Sequence, residues 1–223
     1  MTRASPCRKV VGITGSTGAG KSLLATRICA SPRGLQLAAA RGVPWAVNLE
    51  VDVIGHELLG EPEMRSSLCV EFGHDILSLD GNVDRKRLGR IVFADAEARA
   101  RLNRLMHPAM VARVGARLTH EREVGTMLVI VNAALLLTMN LDRCCDLVIQ
   151  VRAGEDVRLD RLVTYRRMRA DDARPRLRAQ DPEPPASDRL LTCDNNGTIA
   201  DLDRWVDDVL LPLVDVGDVG DRR

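Results

Sequence analysis

Apolar and polar positions fall into blocks that separate strand-like runs from helix-like ones. Residues 10–14 (V-V-G-I-T) form a short apolar, β-branched run that breaks into glycines, the pattern of a buried parallel strand feeding a loop. Residues 22–30 bring Leu23, Leu24, Ile28 and Cys29 onto a helical face, and Ser31-Pro32-Arg33-Gly34 is a stop signal. Residues 46–54 are a second apolar stretch with Glu50 and Asp52 at alternate positions, so an extended chain would point both carboxylates to one side. Helices are predicted over 56–59, 63–72, 84–91, 96–106 and 108–120, with a turn at Asp80-Gly81-Asn82. Pro108 suits a helix's first turn, where its missing N–H is no loss. Residues 127–134 are the most apolar run and read as a central strand, 147–151 as another. Residues 158–178 are an arginine-dense helical hairpin or lid, broken by the prolines of 182–185. A short strand over 189–192 and a helix over 199–211 complete the pattern.

Strands alternating with helices predict an α/β sandwich around a parallel sheet. Its core would be 10–55 and 125–213, with a lid at about 158–180. The helical stretch 56–124 would be a substrate cap inserted where such sheets bind ligands, outside the strand ends. Residues 1–9 read as a tail, and the Gly/Asp/Arg stretch 214–223 as a poorly ordered one. A chain of 223 residues supports one well-buried core with a small appendage.

Composition narrows the function classes. A net charge of +1 gives no global field for gathering nucleic acid or acidic membranes. Trp45, Trp205, Tyr165, Phe72 and Phe93 are the only aromatics, too few for a base-stacking platform. The cysteines at 7, 29, 69, 144, 145 and 193 show no C-x-x-C pair and no zinc spacing. Residues 1–9 lack the apolar stretch of a signal peptide, and no apolar run reaches spanning length. Reduced thiols in a cytoplasmic protein are the expectation. Lys9, Lys21 and Lys86 are the only lysines, which makes a lysine inside a motif informative.

Such a lysine sits in Gly15-Ser16-Thr17-Gly18-Ala19-Gly20-Lys21-Ser22, a full match to the P-loop pattern G-x-x-x-x-G-K-S between a strand and a helix. Glycines let successive N–H groups converge on phosphate oxygens, and the following helix adds its positive dipole end. Lys21 reaches β- and γ-phosphates, and the Ser22 hydroxyl ligates Mg²⁺. The fold class is therefore a three-layer P-loop nucleotide-binding fold with an inserted helical cap and a lid. The loop by itself does not separate kinases from GTPases or ATPases.

A hydroxyl acceptor needs a base or orienting carboxylate near the γ-phosphate. Asp52 is the leading candidate, with Glu50 placed to help hold hydrated Mg²⁺; decoration of a strand edge is the alternative. His107 reads first as a helix-boundary residue and second as a binding residue. The arginines of 158–178 read first as a lid, then as a solvated face, and last as a nucleic-acid patch, since Asp160, Asp171 and Asp172 dilute them.

The chain resembles the dephospho-CoA kinases, which phosphorylate the ribose 3′-hydroxyl of dephospho-CoA in the last step of coenzyme A synthesis. The resemblance rests on G-I-T-G-S-T-G-A-G-K-S, on E-V-D ending at Asp52, and on F-G, D-G-N-V-D-R-K-R-L-G-R-I-V-F and L-N-R-L-M-H-P between Phe72 and Pro108. It resumes at C-D-L-V-I-Q-V and D-N-N-G, and spans about residues 10–213. It implies ATP and Mg²⁺ as co-substrate and cofactor, Asp52 as catalytic carboxylate, and Arg85, Asn103 and His107 as acceptor contacts. Gly15, Thr17, Gly18, Ala19, Gly20, Lys21, Ser22, Arg161 and Asn196 would contact ATP, with Mg²⁺ on Ser22 and on Glu50 through water. A monomer or weak homo-oligomer with no nucleic-acid or membrane partner is expected.

Several positions depart from the family pattern. Glu50 stands where the family usually has aspartate. A-L-L-L-T carries Ala134 and Thr138 in place of a proline and a glutamate, and Tyr165 replaces a lid arginine beside Arg166 and Arg167. Prolines 182, 184 and 185 interrupt a usual helix. The spacing from Lys21 to Asp52 is long, which marks about residues 31–42 as a surface insertion. Another small-metabolite or nucleotide P-loop kinase, and a homologue with weakened turnover, are the alternatives.

Overall fold

β1 (Lys9–Thr14) is buried along nearly its whole length, as expected of an apolar, β-branched run covered on both faces. In the computed structural model, which describes residues 9–165, 167–169, 173–174, 177 and 183–214, it lies at the centre of a five-stranded sheet. The order is β2-β3-β1-β4-β5 with every pairing parallel, where β2 is Ala46–Glu50, β3 Leu128–Asn132, β4 Leu147–Arg152 and β5 Leu190–Asp194. Val11 faces Ile130 on one side and Leu147 on the other. The register also brings polar residues to one edge at the strands' C-terminal ends: Glu50 opposite Asn132, and Thr14 opposite Gln150. That edge follows from parallel pairing, and it is where such sheets present ligand-binding groups.

The chain forms two compact units, Met1–Glu50 with Arg117–Arg223, and Val51–Ala116. The first holds the sheet, α1 (Lys21–Cys29), α2 (Pro32–Arg41), α7 (Glu155–Thr164) and a closing helical run over Ile199–Trp205, Val206–Leu210 and Leu211–Val214. The middle segment of that run is π-helical. The core joins Val11, Ile13, Leu128, Ile130 and Ile149 to Leu24 and Ile28 of α1 and to Leu202, Val206 and Leu210 of the closing run. Arg27 clamps α1 to that run through a two-pronged pair with Asp203 at 2.6 and 2.7 Å.

The second unit holds α3 (Val51–Leu59), α4 (Pro62–Phe72), α5 (Arg85–Ala94) and the first part of α6 (Ala96–Val124). Leu68, Ile76, Leu88, Val92 and Ala98 form its core, with Phe72, Leu102 and Leu105 against them. Arg101 pairs with Glu71 at 2.7 Å and lies over the Phe72 ring.

Two expectations are corrected. The second apolar stretch is not extended through Ile54: β2 ends at Glu50 and Asp52 lies in the first turn of α3. Val51, Ile54, Gly55 and Leu58 are buried at helical spacing, and that period overrides the alternation of Glu50 and Asp52. Residues 96–106 and 108–120 belong to one 29-residue helix with Pro108 inside it; the ring forfeits one backbone bond, which the long ladder on either side absorbs. Residues 31–42, expected as a surface insertion, form a helix with an exposed outer face. Ser31 stops α1 but also caps α2, accepting from the Gly34 N–H at 3.1 Å, with Pro32 in the first turn. α2 then buries Gly34 and Ala38. The expectations for the tails at 1–8 and 215–223, and for lid positions 166, 170–172, 175–176 and 178–182, lie outside the described residues.

The fit of α2 depends on Trp45. Its buried indole donates to the Ile28 carbonyl at 2.8 Å, and a Cβ on Gly34 would stand 2.2 Å from the ring. Alanine gains about 1 kcal/mol of helix propensity over glycine, but overpacking a fixed ring costs about 1–3 kcal/mol. Gly34→Ala is expected to lower stability in urea unfolding, against the propensity trend. Gly42→Ala, with open space around it but a φ of 65°, tests strain without the clash.

Candidate active site

The loop from Gly15 to Ser22 wraps between the end of β1 and the start of α1. Two of its glycines are required by geometry. Gly15 has φ 141° and a Cβ there would lie 2.3 Å from the Val151 carbonyl oxygen; Gly20 has φ 102° and a Cβ there would lie 2.2 Å from Asn195 Nδ2. Side chains tie down the carbonyl oxygens of this loop. Lys21 Nζ donates to Gly15 O at 2.6 Å and Ser16 O at 3.3 Å. Arg161 of α7 donates to Gly18 O and Ala19 O at 3.4 and 3.2 Å, and to Asn195 O at 2.9 Å. Asn195 Nδ2 donates to Ala19 O at 2.8 Å. Thr17 and Gly18 form the turn at the loop's tip, and Ala19 is fully buried.

Asn195 is the residue that sequence reasoning missed. It selected Asn196, whose Oδ1 accepts from the Gly154 N–H at 2.8 Å and so holds the turn into α7. The buried Asn195 makes the direct contact with the loop. The D-N-N-G segment was the available signal, but local spacing does not say which asparagine faces inward.

Ser22 begins a hard-oxygen corner. Its hydroxyl donates to Glu50 Oε1 at 2.9 Å and accepts from Asn132 Nδ2 at 3.4 Å. Asn132 is buried and pairs with Glu50 across the sheet. One hydroxyl and one carboxylate suit Mg²⁺, which keeps several waters and takes few protein ligands. Among the described residues no cluster of three or more His, Cys, Asp or Glu could hold a metal by itself. A metal here would share its coordination with phosphate oxygens.

The remaining predicted residues lie in the second unit. Asp52 is exposed in the first turn of α3, and His56 follows one turn later. Arg85 opens α5, because the Asp84 carboxylate caps that helix by accepting from the N–H groups of Lys86 and Arg87 at 2.9 and 3.1 Å. Ahead of it, hydrogen bonds from Ser78 and then Asn82 hold the Asp80 carboxyl down at about 2 and fix the Asp80–Asn82 turn. Arg85 Nη2 donates to His56 Nε2 at 2.6 Å. Guanidinium has no acceptor, so His56 Nε2 is the acceptor of this bond. His56 was not singled out by sequence. His107 and Asn103 lie one turn apart on α6, and a Cβ on Gly55 would come within 3.1 Å of Met110 Cε, so α3 and α6 approach closely beside them. Burial pushes the His107 imidazole below its ordinary value.

Two outcomes follow. Asn195→Ala removes the shorter of two hydrogen bonds to the Ala19 carbonyl and the 3.4 Å side-chain contact to Arg161; the expected loss is about 1 kcal/mol of stability, with weaker ADP binding, read by melting and by titration. For His107, the unfolded chain takes up the proton first as pH falls. Its contribution is therefore complete above the ordinary imidazole pKa and is lost as pH drops from there through the lower folded value. His107→Gln is expected to flatten the fall in melting temperature between about pH 7 and 5.

A family model described as dephospho-CoA kinase matches residues 9–201. A dephospho-CoA kinase from Streptomyces avermitilis is 36% identical over 206 residues, covering 92% of this chain and 93% of that protein. One from Corynebacterium efficiens is 32% identical over 209 residues, covering 92% and 96%. A crystal structure from Thermus thermophilus superposes with a TM-score of 0.67 at 24% identity, covering 92% of this chain and 97% of the other, a likeness of fold. Among the described residues no helix is long and apolar enough to cross a membrane. With a nucleotide cradle complete in every residue and a family match over most of its length, the chain belongs to the dephospho-CoA kinase family.

Proposed function

We propose that the protein transfers the γ-phosphoryl group of ATP to the ribose 3′-hydroxyl of dephospho-CoA, giving coenzyme A and ADP. The observation that carries this reading is the chain's membership of the dephospho-CoA kinase family; the 2.9 Å Ser22–Glu50 hydrogen bond, at the end of the strand that leads within two residues to the exposed Asp52, supports it. In this reading the loop amides and Lys21 hold the β- and γ-phosphates. Ser22, with Glu50 through water, would hold the Mg²⁺ that accompanies the nucleotide, and that ion would supply positive charge against the phosphate oxygens. Asp52 orients the 3′-hydroxyl and accepts its proton as the oxygen bonds to phosphorus and the ADP oxygen leaves. Arg85, Asn103 and His107, on the helical segment 56–124 that serves as the acceptor cap, seat dephospho-CoA. Arg85 offers a two-pronged fork to phosphate, and a neutral His107 can donate or accept a hydrogen bond at the ribose.

Arg161 braces the loop from behind through the Gly18 and Ala19 carbonyls, and arginines further along the lid meet the transferring phosphate. Asn196 acts by holding Gly154 at the nucleotide side. The protein works in the cytoplasm as a monomer or weak homo-oligomer.

A coupled assay of ADP release tests the assignment. Dephospho-CoA is expected to drive ADP formation, whereas a nucleoside monophosphate or shikimate is not. Asp52→Asn is expected to lower kcat by about 10²–10⁴ with ADP affinity unchanged. Release that ignores dephospho-CoA, or an Asp52→Asn variant at full rate, would sink the reading.

A further inference from the structure

A cavity of about 210 Å³ adjoins the first two residues of the phosphate loop. Thr14, Gln150, Arg152, Arg158 and Glu183 line it together with Gly15. Two of these side chains are in an unusual state. Arg158, on α7, is only 7% exposed, and its Nε and Nη1 have no hydrogen-bond partner among the described residues. Thr14, at the end of β1, is 1% exposed, and its hydroxyl likewise has none among them. Glu183 stands exposed on the rim and satisfies neither of those nitrogens. Gln150 lies opposite Thr14 in the sheet register and gives its carbonyl oxygen to Arg152 Nε at 3.0 Å, so its N–H groups are the polar atoms it has left to offer.

A guanidinium cannot discharge itself by losing a proton, and burying two of its nitrogens without partners is unfavourable. A hydroxyl left bare inside the same cavity points the same way. Apart from the Glu183 carboxylate on the rim, the polar side chains around this space offer donors and positive charge, which match an oxyanion; a planar fork beside a hydroxyl suits phosphate or carboxylate oxygens in particular. The volume lies below the roughly 300 Å³ at which small-molecule pockets begin. It fits a single phosphoryl-sized group and not a nucleotide.

We propose that this cavity is an oxyanion subsite separate from the Gly15–Ser22 cradle, in which Arg158 and Thr14 bind a phosphate-type group. That chemistry has two sources, free inorganic phosphate or a phosphoryl group of a bound substrate. The assignment does not depend on which hydroxyl the enzyme phosphorylates.

The test is titration of inorganic phosphate into the full chain with the cradle saturated by MgADP, followed by calorimetry and by melting. The wild type is expected to bind phosphate saturably and to melt higher with it. Arg158→Gln is expected to lose about tenfold or more in phosphate affinity, Arg158→Lys to retain part, and Thr14→Val to lose less. In phosphate-free buffer Arg158→Gln is expected to melt no lower than wild type, an outcome that a purely structural arginine would not produce. Replacing MgADP by a non-hydrolysable MgATP analogue tests the separation: undiminished phosphate binding upholds the subsite, and blocked binding places the phosphate at the γ-position of the cradle and overturns it. Competition by dephospho-CoA then identifies a phosphoryl group of the acceptor as the occupant, and its absence identifies a free anion. Equal phosphate affinity in wild type and Arg158→Gln, or none in wild type, overturns the proposal. Should Arg158→Gln not fold, the near-isosteric Thr14→Val gives the same reading, and unchanged affinity there counts against it.

Discussion

The shape of the phosphate loop depends on a ring of side chains that hold its carbonyl oxygens. Lys21 takes those of Gly15 and Ser16, Arg161 those of Gly18 and Ala19, and Asn195 that of Ala19 again. A curled backbone that turns its amides toward an anion must turn its carbonyls away, and those carbonyls need donors of their own. Here the donors come from α1, from α7 and from the end of β5. The loop is therefore preorganised by elements far apart in the chain, and binding need not supply that ordering.

The sheet order makes this possible. Placing β4 beside β1 and β5 beside β4 brings the start of α7 and the segment after β5 to the same edge as the loop. Placing β3 on the other side of β1 brings Asn132 and Glu50 to Ser22. One side of the loop is thus structural, clamped by Arg161 and Asn195. The other carries the oxygen ligands that fit a hydrated divalent ion. In the second unit the same economy applies on a smaller scale: a turn fixed by Asp80 and a cap supplied by Asp84 present Arg85 to His56.

Much of this was legible in the sequence because it is local. A β-branched run, a glycine-rich turn and a lysine lie within thirteen consecutive residues, and each has a short-range reason. The parallel sheet followed from strands separated by helices. What escaped was set at long range or by a choice between two periods. Asp52 alternates with Glu50 as in a strand, yet the burial of Val51, Ile54 and Leu58 makes it helical. Ser31 and Pro32 are stop and start signals at once, and only the packing against Trp45 shows that a second helix follows. Asn195 bonds to a carbonyl 176 positions away, a relation with no trace in spacing. Arg158 belongs to a charged stretch that reads as a lid or a solvated face, whereas the fold buries it.

The central claim concerns where the phosphate goes, so identification of the product tests it most directly. Incubation with ATP, Mg²⁺ and dephospho-CoA, followed by mass spectrometry and phosphorus NMR of the acceptor, should show one added phosphoryl group as a ribose 3′-monoester. Unchanged dephospho-CoA beside accumulating ADP and inorganic phosphate would contradict the account.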